Sequence, residues 1–202
     1  MVFFGADKPV KAAGENDLAK LLATGFRIKP NALHDNLLKV KFMKSQLTGE
    51  YLKTLLKVKN QLLELDLSNT NFDDEMALIL RDFPNLKVLR LDQTQISDNA
   101  LNSLKDATLE VLNLCNTKVT HQGVQKLLQL NPPKTIYAWN TAMDRNQQNQ
   151  LAAIAPSLIH FGTSDLFSEK LSLSPPYIKN KNVIFDDTIS IEFEEPQVKT
   201  IN

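Results

Sequence analysis

The sequence predicts an α/β fold in which short parallel strands and helices alternate about five times and form a curved, right-handed arc. Three observations support this prediction. Leucine supplies 32 of the 202 residues, concentrated before residue 131, and asparagine is also frequent, with 18. A leucine pattern recurs with a period of 23 to 25 residues, and hydrophobic residues make up 43% of the chain, enough for a buried core.

The recurring pattern is LxxLxLxxT, which predicts one strand in each unit. It occurs at residues 62–70, 86–94 and 109–117, and the same period reaches Thr141 in one direction and Ser45 in the other. Side chains alternate between the two faces of a strand, so both leucines of LxL point inward. One unit cannot bury its apolar face alone, so neighbouring units stack and share a core. Five units result, of which the outer two are degenerate.

Two further columns of residues predict a helix after each strand. Three positions beyond the end of the pattern, every unit has a residue that favours a helix N-cap: Thr48, Asp73, Ser97, Thr120 and Asp144. Deeper in each unit a leucine recurs as the apolar anchor of that helix: Leu56, Leu80, Leu104, Leu127 and Leu151.

The chain divides into three predicted regions. Residues 1–36 are a linker followed by a helical cap, in which 14–29 form a short helix ending at Gly25. Residues 37–161 are the repeats, with a possible last strand at 157–161. Residues 162–202 are a short β-rich C-terminal tail, because 188–193 alternate polar and apolar residues after Pro175-Pro176.

These motifs resemble leucine-rich repeat proteins, of the longer ribonuclease-inhibitor-like type with a helix in each unit. The tail from Pro175 to Glu194 is similar to the opening of an immunoglobulin-like module of the chitobiase C-terminal type. The start, Phe3-Phe4-Gly5-Ala6, is similar to the exit of a bacterial c-type cytochrome module. The resemblance implies an excised region of an exported bacterial multidomain protein, and hence a periplasmic or cell-surface location.

Composition narrows the classes of function. The 23 basic and 23 acidic residues give zero net charge, which argues against a nucleic-acid binder. One cysteine excludes an internal disulfide framework and CxxCH haem attachment, so no cofactor is expected. No apolar run approaches a membrane span, so we expect no membrane insertion. The three histidines lie in unrelated contexts and predict no metal site, and no nucleophile or phosphate-binding motif occurs. A non-catalytic, monomeric protein is expected.

The concave strand face is the candidate binding surface. One row across the predicted sheet contains Lys41, Asp66, Arg90, Asn113 and Tyr137, and Trp139 follows on the last strand. One interpretation is that this row binds a protein or a polysaccharide. The other is that the row is only solvent-exposed and is held by cross-strand ion pairs such as Asp66 with Arg90. Tyr137 and Trp139 share a face and are typical interface anchors, unless the C-terminal segment covers them.

Other candidates have simpler structural explanations. Six lysines between residues 39 and 59 suggest a patch for nucleic acid or anionic lipid, but a solvated face is the preferred interpretation. Asp73-Asp74-Glu75 suggests catalytic carboxylates or a cation site, but a helix start explains it better. Cys115 is either a partly exposed, reactive thiol or a small filler residue. His121 is expected to be exposed.

Two functions remain open at this stage. The first is a non-catalytic scaffold that binds a protein, or a polysaccharide, through the concave sheet. The alternative is a structural spacer that positions a haem module and a β-module and has no ligand of its own.

Overall fold

The computed structural model describes residues 10–33 and 35–162 of the chain. The predicted cytochrome-like start, His34 and nearly all of the predicted β-rich tail lie outside the described residues.

Helices and strands alternate along the described chain. Three segments between them are 3₁₀ helices: Leu56–Val58, Met76–Asp82 and Asn102–Leu104. The helices are α1 (Glu15–Thr24), α2 (Gly49–Leu55), α3 (Asp98–Leu101), α4 (His121–Leu130) and α5 (Arg145–Ile154). The strands are β1 (Phe26–Pro30), β2 (Leu38–Phe42), β3 (Leu62–Asp66), β4 (Val88–Arg90), β5 (Val111–Asn113), β6 (Thr135–Tyr137) and β7 (Ile159–His160).

The strands form one open sheet in chain order, β1 to β7. Strands β2 to β7 pair in parallel, which confirms the predicted α/β class. β1 pairs with β2 antiparallel, so the prediction of an all-parallel sheet was wrong at this edge. The predicted helix end at Gly25 is confirmed, whereas residues 26–30, expected to belong to the cap, form strand β1. Gly25, at φ 103°, ends α1, and its N–H donates to the carbonyls of Leu21 and Leu22.

The core lies on one face of the sheet, beneath the helices. Successive strands place Leu65, Leu89, Leu112 and Ile136 in register, and all four are fully buried. Burying each such side chain stabilises the fold by roughly 1.5–3 kcal/mol. The predicted inward direction of the leucine pattern is therefore confirmed. At the β1 edge Phe26 closes the same core against the Phe42 ring, with centroids 4.9 Å apart.

The same turn follows four successive strands. Its hinge residue has a left-handed backbone with φ between 50° and 59°, at Asn69, Gln93, Asn116 and Asn140. The next residue is a threonine, whose hydroxyl donates to the carbonyl three residues earlier at 2.6–2.7 Å in the first three turns. The hinge residue's own N–H continues the parallel ladder in these turns, as from Asn69 to the Asp92 carbonyl at 3.0 Å.

Predicted N-caps start most of the helices. Thr48 accepts from the Tyr51 N–H, Ser97 accepts from the Asn99 N–H, and Asp144 forms a capping box with Gln147. Asp73 accepts from the Met76 N–H, but the segment that follows is a 3₁₀ helix. The helix predicted in this unit is therefore present as a 3₁₀ helix at residues 76–82.

Thr120 occupies the cap position of α4 without accepting a bond from the helix. Its hydroxyl donates instead to the Asp98 carboxylate at 2.6 Å, and its N–H donates to the same carboxylate at 2.8 Å. Asp74 holds Ser97 in the same way. A Cβ on Gly123 would collide with the Asp98 carboxylate, so glycine is required for this link between neighbouring helices.

Gln93→Gly is expected to stabilise the protein. A left-handed backbone costs an ordinary side chain of order 1 kcal/mol, and glycine adopts it without strain. Because Gln93 is exposed, little packing is lost. We expect the midpoint of thermal unfolding to rise by roughly 2–4 °C, measured by circular dichroism. The matched control is Asn116→Gly, which should change the midpoint by less, because asparagine tolerates φ 57°. An equal or smaller rise for Gln93→Gly would contradict the assignment of strain to this turn.

Candidate functional site

The face of the sheet that points away from the core, here called the outer face, contains the predicted site residues. The register aligns Arg27, Lys41, Asp66, Arg90, Asn113, Tyr137 and His160 in one continuous row. Five of these residues, Lys41 to Tyr137, were predicted from the sequence to form a row, and the structure places them in the predicted order. Sequence reasoning did not include the two end members, since Arg27 lies on the unrecognised strand β1 and His160 lies beyond the last repeat motif.

The β1 end of the outer face is cationic. Phe26 and Ile28 pack toward the core, so Arg27 and Lys29 lie on the outer face, where both are exposed. In register they stand opposite Lys41 and Lys39, respectively. Like charges in directly opposed positions destabilise a strand pair.

Carboxylates on β3 neutralise the next part of the row. Lys41 Nζ lies 3.1 Å from Asp66 Oδ2, and Arg90 Nε lies 3.6 Å from Glu64 Oε1. These two ion pairs replace the predicted pair of Asp66 with Arg90. The Asp66 carboxylate also accepts hydrogen bonds from the N–H and hydroxyl of Ser68, which hold it toward the end of its strand and away from Arg90.

Two predicted contact residues are engaged within the sheet. Asp66 is 7% exposed and Asn113 is 6% exposed, so neither offers much surface to a partner. The Asn113 amide donates to Asp92 at 2.9 Å and its carbonyl oxygen accepts from the Cys115 N–H. Burial, together with the nearby Asp66 charge, raises the pKa of Asp92 above its usual range. The polar side chains at the centre of the outer face therefore bond to one another. The more exposed polar and aromatic side chains lie at its two ends.

The other end is aromatic. The Tyr137 ring stacks on the His160 imidazole, with centroids 5.3 Å apart and an angle of 29° between the planes. Tyr137 and Trp139 are half-buried, while His160 is exposed. Side chains with an apolar ring and a polar edge are typical anchors of binding surfaces.

Cys115 is half-buried beside this aromatic end. Burial raises the pKa of its thiol to about 11, and the nearby Asp92 charge also raises it. A hydrogen bond from the Trp139 backbone has the opposite effect and lowers the pKa. Since the thiolate is the reactive form, the raised pKa disfavours a reactive cysteine at neutral pH and favours the interpretation as a small filler residue.

The remaining candidates behave as local structure. Lys53, Lys57 and Lys59 are exposed on the helix side, away from the outer face. His121 was expected to be exposed but is half-buried, with Nε2 lacking a hydrogen-bond partner. Within residues 10–33 and 35–162, no group of three or more histidine, cysteine or carboxylate side chains could hold a metal ion.

A groove of about 230 Å³ lies between α3 and α4 on the helix side. Gly123 and the Asp98 carboxylate form part of its wall, and Lys126 reaches across it to the Asn102 side chain at 2.8 Å. Asp98 is engaged by Thr120, and Lys126 and Asn102 bond to each other, so three of its polar groups already have partners within the chain.

Comparison of the chain with known proteins assigns no family to it. No family model matches the chain, and no curated protein matches it. Among the helices that the structure describes, none is long and apolar enough to cross a membrane.

Alkylation of Cys115 by iodoacetamide at pH 8 is expected to be roughly a hundredfold slower in the folded chain than in the urea-unfolded chain. The reason is the rise of the thiol pKa from 9.0 to about 11, which lowers the thiolate fraction. The folded rate should climb about tenfold per pH unit up to pH 10. Because folding favours the protonated thiol, this group's contribution to stability is present below pH 9 and is lost between pH 9 and 11. Mass spectrometry measures both rates, and equal rates in the two states would contradict the pKa shift.

The variant Arg27→Gln is expected to be more stable than the natural chain. It removes the like-charge cross-strand pair with Lys41, which is unfavourable by about 0.2–1 kcal/mol. Thermal unfolding at low salt should show a midpoint higher by up to about 4 °C, and the difference should shrink in 0.5 M NaCl. Lys118→Gln is the control, since it removes one exposed charge that no opposed strand residue faces. A lower midpoint for the β1 variant would show that this cation stabilises the edge.

Proposed function

We propose that the chain is a leucine-rich-repeat solenoid of about five repeats that binds a protein partner without catalysing a reaction. Its outer sheet face is the concave face of the arc, and this face makes the contact. The same turn recurs at residues 69, 93, 116 and 140, and in the first three turns a threonine hydroxyl bonds to the carbonyl three residues earlier. This recurrence supports the repeat assignment.

One observation supports the binding role above the others. A single in-register row is neutralised at its centre and accessible at its ends, with Arg27 and Lys41 at one end and Tyr137 and His160 at the other. Six strand steps of about 4.8 Å separate the ends, so they suit an extended surface better than a small molecule. Rigid strands position both ends, which lowers the entropic cost of binding. A polysaccharide lying on the aromatic end is the other ligand class compatible with this surface.

The resemblance adds a setting to this proposal. The scaffold would work in the periplasm or at the cell surface of a bacterium, as the central region of a larger exported protein. The alternative role is a structural spacer, and the internally satisfied centre of the outer face is consistent with it.

The double variant Tyr137→Ala, Trp139→Ala tests the binding role. Partners are captured from the source organism by photo-crosslinking, and the dissociation constant of each is then measured by calorimetry. We expect binding to weaken at least tenfold, because buried aromatic anchors contribute more than 1.4 kcal/mol.

Leu130→Ala with Ile154→Ala is the matched control, since it truncates two exposed apolar side chains on the helix side. Thermal unfolding confirms that each variant is folded. If no partner is captured, or if both variants bind equally, the spacer role is correct instead.

A further inference from the structure

Asp92 differs from the carboxylates on β3. Glu64 and Asp66 are both in ion pairs. Within residues 10–33 and 35–162, Asp92 forms no ion pair, and its side-chain hydrogen bond is the one that the Asn113 amide donates at 2.9 Å. That bond satisfies one carboxylate oxygen and leaves the negative charge without a paired cation.

The surroundings of Asp92 disfavour its charge. Burial and the Asp66 charge raise the pKa of Asp92 above its usual range, although Arg90 and Lys41 act in the opposite direction. Both of these cations are already paired with carboxylates on β3. A cation supplied from outside the chain would stabilise the ionised form of Asp92.

Asp92 lies beside the aromatic end of the outer face. The Gln93 N–H donates to the Cys115 carbonyl at 2.9 Å, so the ladder places Asp92 next to Cys115. Cys115 is small, and because the pKa of its thiol is about 11, the side chain is neutral at pH 7. It therefore takes little space beside Asp92 and adds no charge there.

The Tyr137 ring borders the same part of the sheet from the other side. Asn113 on β5 is in register with Tyr137 on β6, and His160 stacks on the Tyr137 ring from β7. Because β6 lies between β5 and β7, the opposite face of this ring is turned toward Asn113. Asp92 and this ring face therefore flank Asn113.

We propose that Asp92 and the Tyr137 ring bind an arginine side chain of the protein partner. This proposal rests on the proposed function and specifies the chemistry of its partner. A guanidinium donates hydrogen bonds to a carboxylate and also lies against an aromatic face, so it suits both groups. Two strand steps of about 4.8 Å separate them, and the guanidinium lies between, over Asn113. Asn113 does not compete for it, since its amide is already bonded to Asp92 and to the Cys115 N–H.

The geometry favours a cation over a sugar at this place. A sugar binds by covering an open ring face, but Tyr137 and His160 each cover one face of the other, with centroids 5.3 Å apart. The Asp92 charge attracts a cation and gives a neutral sugar no comparable advantage. An acidic segment would be repelled by the same charge.

The test uses the full ¹⁵N-labelled chain and a capped five-residue peptide with one central arginine between serines and glycines. Amide chemical shifts are followed by NMR during titration. We expect saturable shifts at Asp92, Asn113 and Tyr137. The same peptide with citrulline, the neutral analogue of arginine, should bind about tenfold more weakly, because hydrogen bonds between charged groups are stronger than neutral ones.

Asp92→Asn removes the charge and keeps a carbonyl oxygen for the Asn113 amide. This variant should bind the arginine peptide about tenfold more weakly than the natural chain. Asp82→Asn is the matched control, since it removes one exposed carboxylate from the helix side, and its affinity should change less than about twofold. Thermal unfolding confirms that both variants are folded.

Several results would overturn the proposal: no saturable shifts at these three residues, equal binding of the arginine and citrulline peptides, or an equal loss for Asp92→Asn and Asp82→Asn. Tighter binding of a neutral glucose hexasaccharide to the same residues would assign this place to a sugar. If Asp92→Asn leaves peptide binding unchanged while Tyr137→Ala with Trp139→Ala still loses a captured partner, this inference fails and the proposed function stands.

Discussion

The structure depends on the in-register burial of one apolar residue from each strand. Leu65, Leu89, Leu112 and Ile136 are adjacent in the sheet and fully buried. A shift of one residue in any of these strands would move its whole apolar set to the outer face, so this row fixes the register of β3 to β6. Fixing the register also aligns the residues between the leucines, so the outer-face row is a consequence of core packing.

Turn chemistry makes that register repeat. The left-handed residue at each strand end and the threonine hydroxyl bond occupy the same place in successive turns. Links between neighbouring helices act on the other side of the core, where Asp74 and Asp98 hold the starts of the segments that follow them. The sheet is therefore held at its strand ends by the turns, and the helices on the far side of the core are held by the links between them.

Charge on the outer face is arranged unevenly. Carboxylates on β3 neutralise Lys39, Lys41 and Arg90, and Asn113 binds Asp92, so the centre satisfies itself. The two ends differ in chemistry, with the opposed cations Arg27 and Lys41 at the β1 end and the stacked Tyr137 and His160 rings at the other. The proposed binding role would use this difference. Such electrostatic asymmetry contributes more to specificity and orientation than to affinity.

The sequence by itself determined the period, the inward leucines, most of the helix caps and the order of Lys41, Asp66, Arg90, Asn113 and Tyr137, because these follow from local spacing and side-chain alternation. Tertiary structure decided what depends on neighbours distant in the chain. It paired β1 antiparallel with β2, exchanged the predicted partner of Asp66, buried Asn113 and raised the pKa of Cys115. Burial, ion-pair choice and pKa are set by the three-dimensional environment, which local sequence patterns do not encode.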